Sequence, residues 1–233
     1  MKNYDLIAIG TGSAGSAAAY RCRKAGWKVA VVDNRPFGGT CALRGCDPKK
    51  VLVGASEIID RAETMEKNGI KNGIKIEWPE MMKFKRTFTS PVPEKREKGF
   101  ASAGIDAFHG HAAFAGRNTL RVGGEVLEAK HFLIATGAKP MKLGIAGEEH
   151  ITISDQFLEL DNLPENITFI GGGYISFELA HVAARAGAKV RIVHRSSPLK
   201  KFDPDLVSTL VKASEDAGIE IRLGLQVNSI ERK

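Results

Sequence analysis

Residues 4–33 read YDLIAIGTGSAGSAAAYRCRKAGWKVAVVD, and this stretch decides the fold. YDLIAIG is an apolar run of strand length that ends on glycine. AAAYRCRK has the alanine-rich composition of a helix, stopped by Gly26, and WKVAVVD is a second apolar run closed by an acid. Between strand and helix, GTGSAG sets Gly10, Gly12 and Gly15 in the pattern GxGxxG, with Asp33 about 20 residues on. Glycines let the backbone approach a pyrophosphate, and Ser13, Ala14 and Gly15 open a helix whose N-terminus attracts an anion. Asp33 is placed to accept hydrogen bonds from a ribose. Strand, loop, helix, strand and acid together predict a dinucleotide-binding unit.

The unit recurs. ENITFIGGGYISFELAHVAARAGAKVRIVHR, residues 165–195, repeats strand, glycine loop (Gly171, Gly173, Ser176), helix and strand. Its second strand ends in His194 and Arg195, with Lys200 and Lys201 close behind. An acid at that position binds a free 2′-hydroxyl whereas cations accommodate a 2′-phosphate, so this module favours NADP, with NAD as the alternative. DPDLVSTLVKASEDAG is a further helix and IEIRL a third strand.

Between the two units lies GGTCALRGCDPKKV, residues 38–51. A regular helix, at about 1.5 Å rise per residue, would hold Cys41 and Cys46 roughly 8 to 9 Å apart at Cα, beyond the ~7 Å reach of a disulfide. The pair closes only where the helix start is distorted, and Gly45 helps there. A thiol at a helix N-terminus beside Lys49 and Lys50 is expected to have a lowered pKa. Three chemistries remain open: a working disulfide, a pair of ordinary thiols, and zinc. Zinc needs about four ligands, while the chain's remaining cysteine is Cys22 and no histidine stands near the stretch.

Residues 50–67 keep helical spacing through Val51, Leu52, Ala55, Ile58, Ile59 and Ala62. Glycines and prolines interrupt residues 68–103, which read as a loop, a short helix and a helix from about residue 93, with Met81, Met82, Phe84 and Phe88 in packing positions. IDAFHGHAAF reads as strand, NTLRVGGEVLEA as a hairpin turning at Gly123-Gly124, and HFLIATGAKP as a buried strand running into Thr136-Gly137. Residues 138–166 form a connector, with a short helix capped at Ser154-Asp155.

GTGSAG, GGTCALRGCDPKK, GHAAF, ATGAKP, ISDQFLEL, GGGYISFE and KKFDPDL follow one another along the chain. In that order they resemble the flavoprotein pyridine nucleotide-disulfide oxidoreductases, a family that includes glutathione reductase, dihydrolipoamide dehydrogenase and mercuric reductase. The resemblance implies an α/β fold of two Rossmann-like doubly wound domains: an FAD-binding domain over 1–147 and an NAD(P)-binding domain over 148–233, the second truncated.

The resemblance also implies roles. GTGSAG with Asp33 would hold FAD, although the family more often has Glu at that position. Ala112 and Ala113 would meet the adenine through backbone, and Gly39, Thr40, Thr136 and Gly137 would line the flavin nucleotide. Cys46 would lie against the flavin and Cys41 would exchange with substrate, with Lys49 near flavin N5 and Glu178 as its partner. Tyr174, with Ile175 beside it, would cover the flavin until nicotinamide arrives. Reducing equivalents would pass from NADPH through flavin to the Cys41/Cys46 disulfide and on to a small disulfide. The family's interface domain and its histidine base would fall past residue 233, so a homodimeric parent is implied and this chain is expected to lack the usual interface. Asp47 departs from the apolar residue common there. A truncated FAD- or NAD(P)-binding or redox-sensing protein without full turnover is the alternative.

At 233 residues, 43% hydrophobic and 26% charged, the composition is that of an ordinary globular protein. No run approaches the ~18 apolar residues of a membrane span. The start runs directly into the glycine loop, and with the chain's three cysteines it is expected to be cytoplasmic. The net charge of +7 is spread along the chain without basic runs, which argues against nucleic acid as a partner.

Overall fold

A computed structural model describes residues 2–71 and 73–232. Its elements, in chain order, are β1 (Lys2–Ile9), α1 (Ser13–Lys24), β2 (Val29–Asp33), α2 (Gly39–Arg44), α3 (Cys46–Thr64), α4 (Trp78–Thr89), α5 (Val92–Ser102), β3 (Asp106–His109), β4 (Ala112–Gly116), β5 (Thr119–Val122) and β6 (Glu125–Ile134). They continue with α6 (Ser154–Phe157), β7 (Asn166–Ile170), α7 (Tyr174–Arg185), β8 (Lys189–His194), α8 (Pro204–Asp216) and β9 (Glu220–Leu223). Two compact units result: residues up to Pro48 with Arg86–Lys139, and Lys49–Lys85 with the residues from Pro140 on. The resemblance implies domains of 1–147 and 148–233; packing divides the chain differently. Leu52, Trp78 and Met82 share one buried core with Phe157, Phe177, Leu179 and Ile192, which ties 49–85 to the second unit.

The first unit is built on a sheet of order β3-β2-β1-β6-β5-β4. β1 pairs in parallel with β2 and β6, and β2 with β3, while β4, β5 and β6 form an antiparallel meander. Leu6, Ile7 and Ala8 and all of Val29–Val32 are buried, as strands covered on both faces require. Val122 pairs with Glu125 across the Gly123-Gly124 loop. IDAFHGHAAF is not one strand: Gly110, at φ +144, divides it, so that β3 stays with β2 and β4 turns to β5. HFLIATGAKP also differs from a buried strand. β5 pairs only with Glu125–Glu128, which leaves the later half of β6 bonded to β1 alone among the described residues, and Ile134 is 67% exposed.

In the second unit β7-β8-β9 is an all-parallel sheet. Asp203 caps α8 by accepting from the N–H groups of Asp205 and Leu206, with Pro204 opening the first turn. The cap of α6 is Ile153 rather than Ser154, and the Gln156 side chain returns to Ile153 N at 2.8 Å. α4 packs through Met82 and, in part, Met81 as expected, but not through Phe84 and Phe88. Its inward positions hold Trp78, Met82, Lys85 and Thr89, all buried, while Phe84 and Phe88 are 57% and 51% exposed. One helical face cannot turn inward both 82, 85 and 89 and 84 and 88.

Lys85 is fully buried and its ammonium meets Glu159 at 2.7 Å, where the carboxylate remains half-exposed. Glu159→Gln leaves the buried charge uncompensated and should cost on the order of 3 kcal/mol. Lys85→Met, which removes the charge and keeps the volume, should cost less than about 1.5 kcal/mol. Urea unfolding of the two variants checks the order; equal losses would contradict it.

Candidate nucleotide and dithiol site

The first glycine loop is held at the carboxyl ends of the parallel strands. Gly10 N donates to Val32 O at 2.7 Å and Ala135 N to Ile9 O at 2.8 Å. A Cβ on Gly10 (φ +111) would lie 2.2 Å from Ala135 O, and one on Gly15 would lie 1.9 Å from Gly10 O, so only glycine fits at either position. Gly12 caps α1 without a side-chain hydrogen bond, no acid stands in the first turn, and Ser13 and Ala14 are exposed. The opening N–H groups of α1 are therefore left without a side-chain acceptor, an arrangement that suits an anion.

Thr136 and Gly137, both exposed, follow β6 directly beside this loop. Gly110 N donates to Asp33 O at 2.9 Å, which sets Ala112 and Ala113 two and three residues beyond that contact. Gly39 packs on the loop itself, since a Cβ there would be 2.3 Å from Gly12 Cα. Thr40 is exposed on α2. Gly10 to Gly15, Asp33, Gly39, Thr40, Thr136 and Gly137 thus gather at one end of the sheet, where an open α/β sheet binds nucleotides.

Asp33 does more inside the protein than its position in sequence indicates. Its Oδ2 accepts from Thr11 N at 2.8 Å and Thr11 Oγ1 at 2.7 Å, and its Oδ1 accepts from Arg35 N at 3.0 Å. Thr11 Oγ1 accepts in turn from Gly38 N at 3.3 Å. Thr11 and Gly38 were not singled out from sequence. The available signal was a hydroxyl residue between two loop glycines, facing an acid one carbon shorter than the usual Glu.

The helix that would separate the cysteines is broken. α2 ends at Arg44, Gly45 takes φ −150 and ψ −107, and α3 starts afresh at Cys46. Across the break, the thiol and the backbone N–H of Cys46 both act on the Cys41 sulfur. Both are free thiols, Cys46 the more exposed. A Cβ on Gly45 would press to 3.0 Å from Thr40 O. The expected lowering of thiol pKa is not what Cys41 shows. Its thiol hydrogen bond to Cys46 raises it most, then burial, then the negative charge available at Cys46 and Asp47. Among the described residues no three His, Cys, Asp or Glu side chains form a metal-ligand cluster.

In the second unit Lys49, on the first turn of α3, pairs with Glu178 at 2.5 Å, and its ammonium lies 5.3 Å from the centre of the Tyr174 ring. Tyr174 and Ile175 stand exposed at the start of α7, after the loop of Gly171 and Gly173. The His194 ring lies against that loop: a Cβ on Gly172 would be 2.7 Å from His194 Cδ2. Its Nε2 is 3.3 Å from Ser196 Oγ. Arg195 and Lys200 are exposed beyond it. The structure brings Lys49, Glu178 and Tyr174 together and sets His194 inward, apart from the two outward cations.

Residues 4–233 match the family described as pyridine nucleotide-disulphide oxidoreductase. The chain belongs to this family. It is 35% identical to a glutathione reductase of Burkholderia cepacia, over 99% of this chain and 52% of that protein. It is 30% identical to dihydrolipoyl dehydrogenase 3 of Haloarcula marismortui, over 97% and 49%, and 32% identical to a mercuric reductase of Lysinibacillus sphaericus, over 99% and 43%. The Cu(II) complex of the HOCl-induced flavoprotein disulfide reductase RclA from Escherichia coli superposes with a TM-score of 0.87 at 28% identity, covering 100% of this chain and 52% of that one. The chain therefore spans about half the length of the relatives it matches, and carries the family's mixed α/β, Rossmann-like FAD-binding fold. No helix among the described residues is long and apolar enough to cross a membrane.

Because a raised pKa leaves less thiolate at a given pH, alkylation of Cys41 by iodoacetamide in this family member should climb with pH to a midpoint above that of an ordinary thiol. Asp47→Asn removes one opposing charge and should speed alkylation at pH 8 about twofold to threefold. Peptide mass spectrometry reads this out; an unchanged rate would mean that water screens Asp47 completely.

Proposed function

We propose that this chain supplies the nucleotide-binding and dithiol parts of an FAD-dependent disulfide reductase that draws on NADPH, with NADH as a weaker donor. The observation that carries the reading is the thiol pair. The helix break at Gly45 interrupts the regular spacing of Cys41 and Cys46 and lets the Cys46 thiol act on that of Cys41, on a segment packed directly onto the first glycine loop. FAD, when bound, would take a hydride from the reduced nicotinamide and deliver the electron pair to the Cys41–Cys46 disulfide.

The chain's own residues define the remaining roles. The open N–H groups of α1 hold the pyrophosphate, and Thr40, Thr136 and Gly137 border the flavin side of the site. Lys49 offers a positive charge where negative charge develops, and Glu178 fixes its ammonium. Tyr174, exposed above Lys49, is the movable cover of that position. Arg195 and Lys200 meet the 2′-phosphate of NADPH, while His194, folded onto Gly172, closes the inner wall.

In the reduced pair, the Cys41 thiolate attacks one sulfur of a small disulfide and releases a thiol. Cys46 then displaces Cys41's new partner as a second thiol, and the Cys41–Cys46 bond forms again. The substrate is a low-molecular-weight disulfide, the compartment a reducing cytoplasm, and the complete protein a homodimer.

Anaerobic NADPH added to the FAD-loaded chain should bleach the flavin and raise the thiol count by two per chain, and Cys46→Ser should abolish that rise. A thiol count that does not move would refute the relay. Arg195→Glu combined with Lys200→Glu should weaken NADPH binding at least about tenfold and leave NADH little changed, because opposite charges replace the 2′-phosphate partners.

A further inference from the structure

We propose that Thr11 and Asp33 are positioning residues that clasp the nucleotide loop to the segment carrying Cys41, and that Asp33 is consequently not a two-handed reader of the adenosine ribose. The proposal deepens the nucleotide reading of the first unit and rests on it.

A carboxylate offers about four acceptor positions. Three are used within the protein: Oδ2 takes both Thr11 N and Thr11 Oγ1, and Oδ1 takes Arg35 N. Vicinal ribose hydroxyls held in bidentate fashion need one position on each oxygen. Oδ2 is full, so one hydroxyl at most is served. A glutamate, one methylene longer, would reach outward past Thr11; the aspartate folds back upon it.

What the carboxylate gains instead is a relay. Thr11 is completely buried. Since its hydroxyl donates to Asp33, its lone pairs are turned to Gly38 N. Gly38 (φ +136) and Gly39 (φ +70) then swing the chain into α2, on which Cys41 is the third residue. This passage has no slack. A Cβ on Gly38 would lie 2.8 Å from Val92 Cγ1, and one on Gly39 would lie 2.3 Å from Gly12 Cα. Asp33, Thr11 and Gly38 therefore fix the height at which α2 leaves the loop, and with it the place of the Cys41 sulfur beside Cys46. Losing the Thr11 hydroxyl frees both the carboxylate and Gly38 N.

Three measurements on the full chain test this. In the unmutated chain, calorimetry with ADP, 2′-deoxy-ADP and 3′-deoxy-ADP should show less than about threefold discrimination for at least one of the two analogues. A charged hydrogen bond to each hydroxyl would cost tenfold or more for both, and that result overturns the proposal. In Thr11→Val, amide hydrogen exchange across residues 38–41 should quicken about tenfold. The Cys41/Cys46 couple, equilibrated in glutathione buffers without nucleotide, should shift its position. Thr11→Ser, which keeps the hydroxyl, should restore both, whereas a merely space-filling role would be served by Val. Exchange and redox equilibrium unchanged in Thr11→Val would overturn the clasp. Absence of any ADP binding, with the Thr11→Val effects intact, would leave the clasp standing and refute the nucleotide reading instead.

Discussion

Backbone approaches backbone in the first unit more closely than any side chain permits, and the rest of the site follows from that constraint. Gly10 sits against the carbonyl of Ala135, Gly15 against the carbonyl of Gly10, and Gly39 against the Cα of Gly12. The first contact locks the loop between β1 and β6, the second brings α1 down onto the strand end, and the third lays the cysteine segment on the loop. Each replaces side-chain volume with direct main-chain contact, and this leaves the opening N–H groups of α1 without a side-chain cap. One steric rule thereby leaves the start of α1 uncapped and lays the segment carrying the thiol pair against the loop.

The second feature is how charge is arranged around the sulfurs. Helix N-termini and lysines favour thiolate in general, yet here the nearest influences on Cys41 are another thiol, burial and a carboxylate, all of which favour the neutral form. In the second unit, Lys49 is engaged with Glu178, so its positive charge is partly neutralised within its own unit. A thiol held neutral is a poorer attacking group at rest, but a thiolate of higher basicity is the stronger nucleophile once formed. In the proposed reading, the pair is thus tuned toward holding electrons as a dithiol rather than toward indiscriminate reaction.

Much of this was legible in the sequence because the glycine loops, their flanking strands and the hairpin turn are local patterns with local causes. The Gly123-Gly124 turn and both loop–helix units stand where the residues place them. What stayed illegible depended on partners distant in the chain. Lys85 lies inside and Phe84 outside because Glu159, 74 residues later, receives the ammonium; hydrophobicity alone assigns them the other way. Gly110 ends one strand and starts another because β2 and β5 claim its two sides. The cysteines' approach depended on how Gly45 would bend, which spacing permits without requiring. Thr11 offered only a hydroxyl between two loop glycines, and its role depends on the carboxylate of Asp33, 22 residues later, facing it.

The two modules share a consequence that their sequences conceal. In each, the residue closing the second strand turns back onto its own glycine loop: Asp33 onto Thr11 in the first, His194 onto Gly172 in the second. One does so by accepting hydrogen bonds, the other by bringing an imidazole ring against bare backbone that only glycine leaves open. In both cases the strand-end residue helps hold the loop, so in the proposed reading recognition of a nucleotide's outer groups falls largely to residues just beyond it. Arg195 and Lys200 stand there in the second module, both exposed. In the first, Oδ1 of Asp33 has one bond within the protein, from Arg35 N, and Ala112 and Ala113 follow two and three residues after the Gly110 contact to the Asp33 backbone. A strand-end acid or base is therefore an incomplete guide to which nucleotide a loop prefers, because the same side chain is also the nearest group able to hold that loop in place.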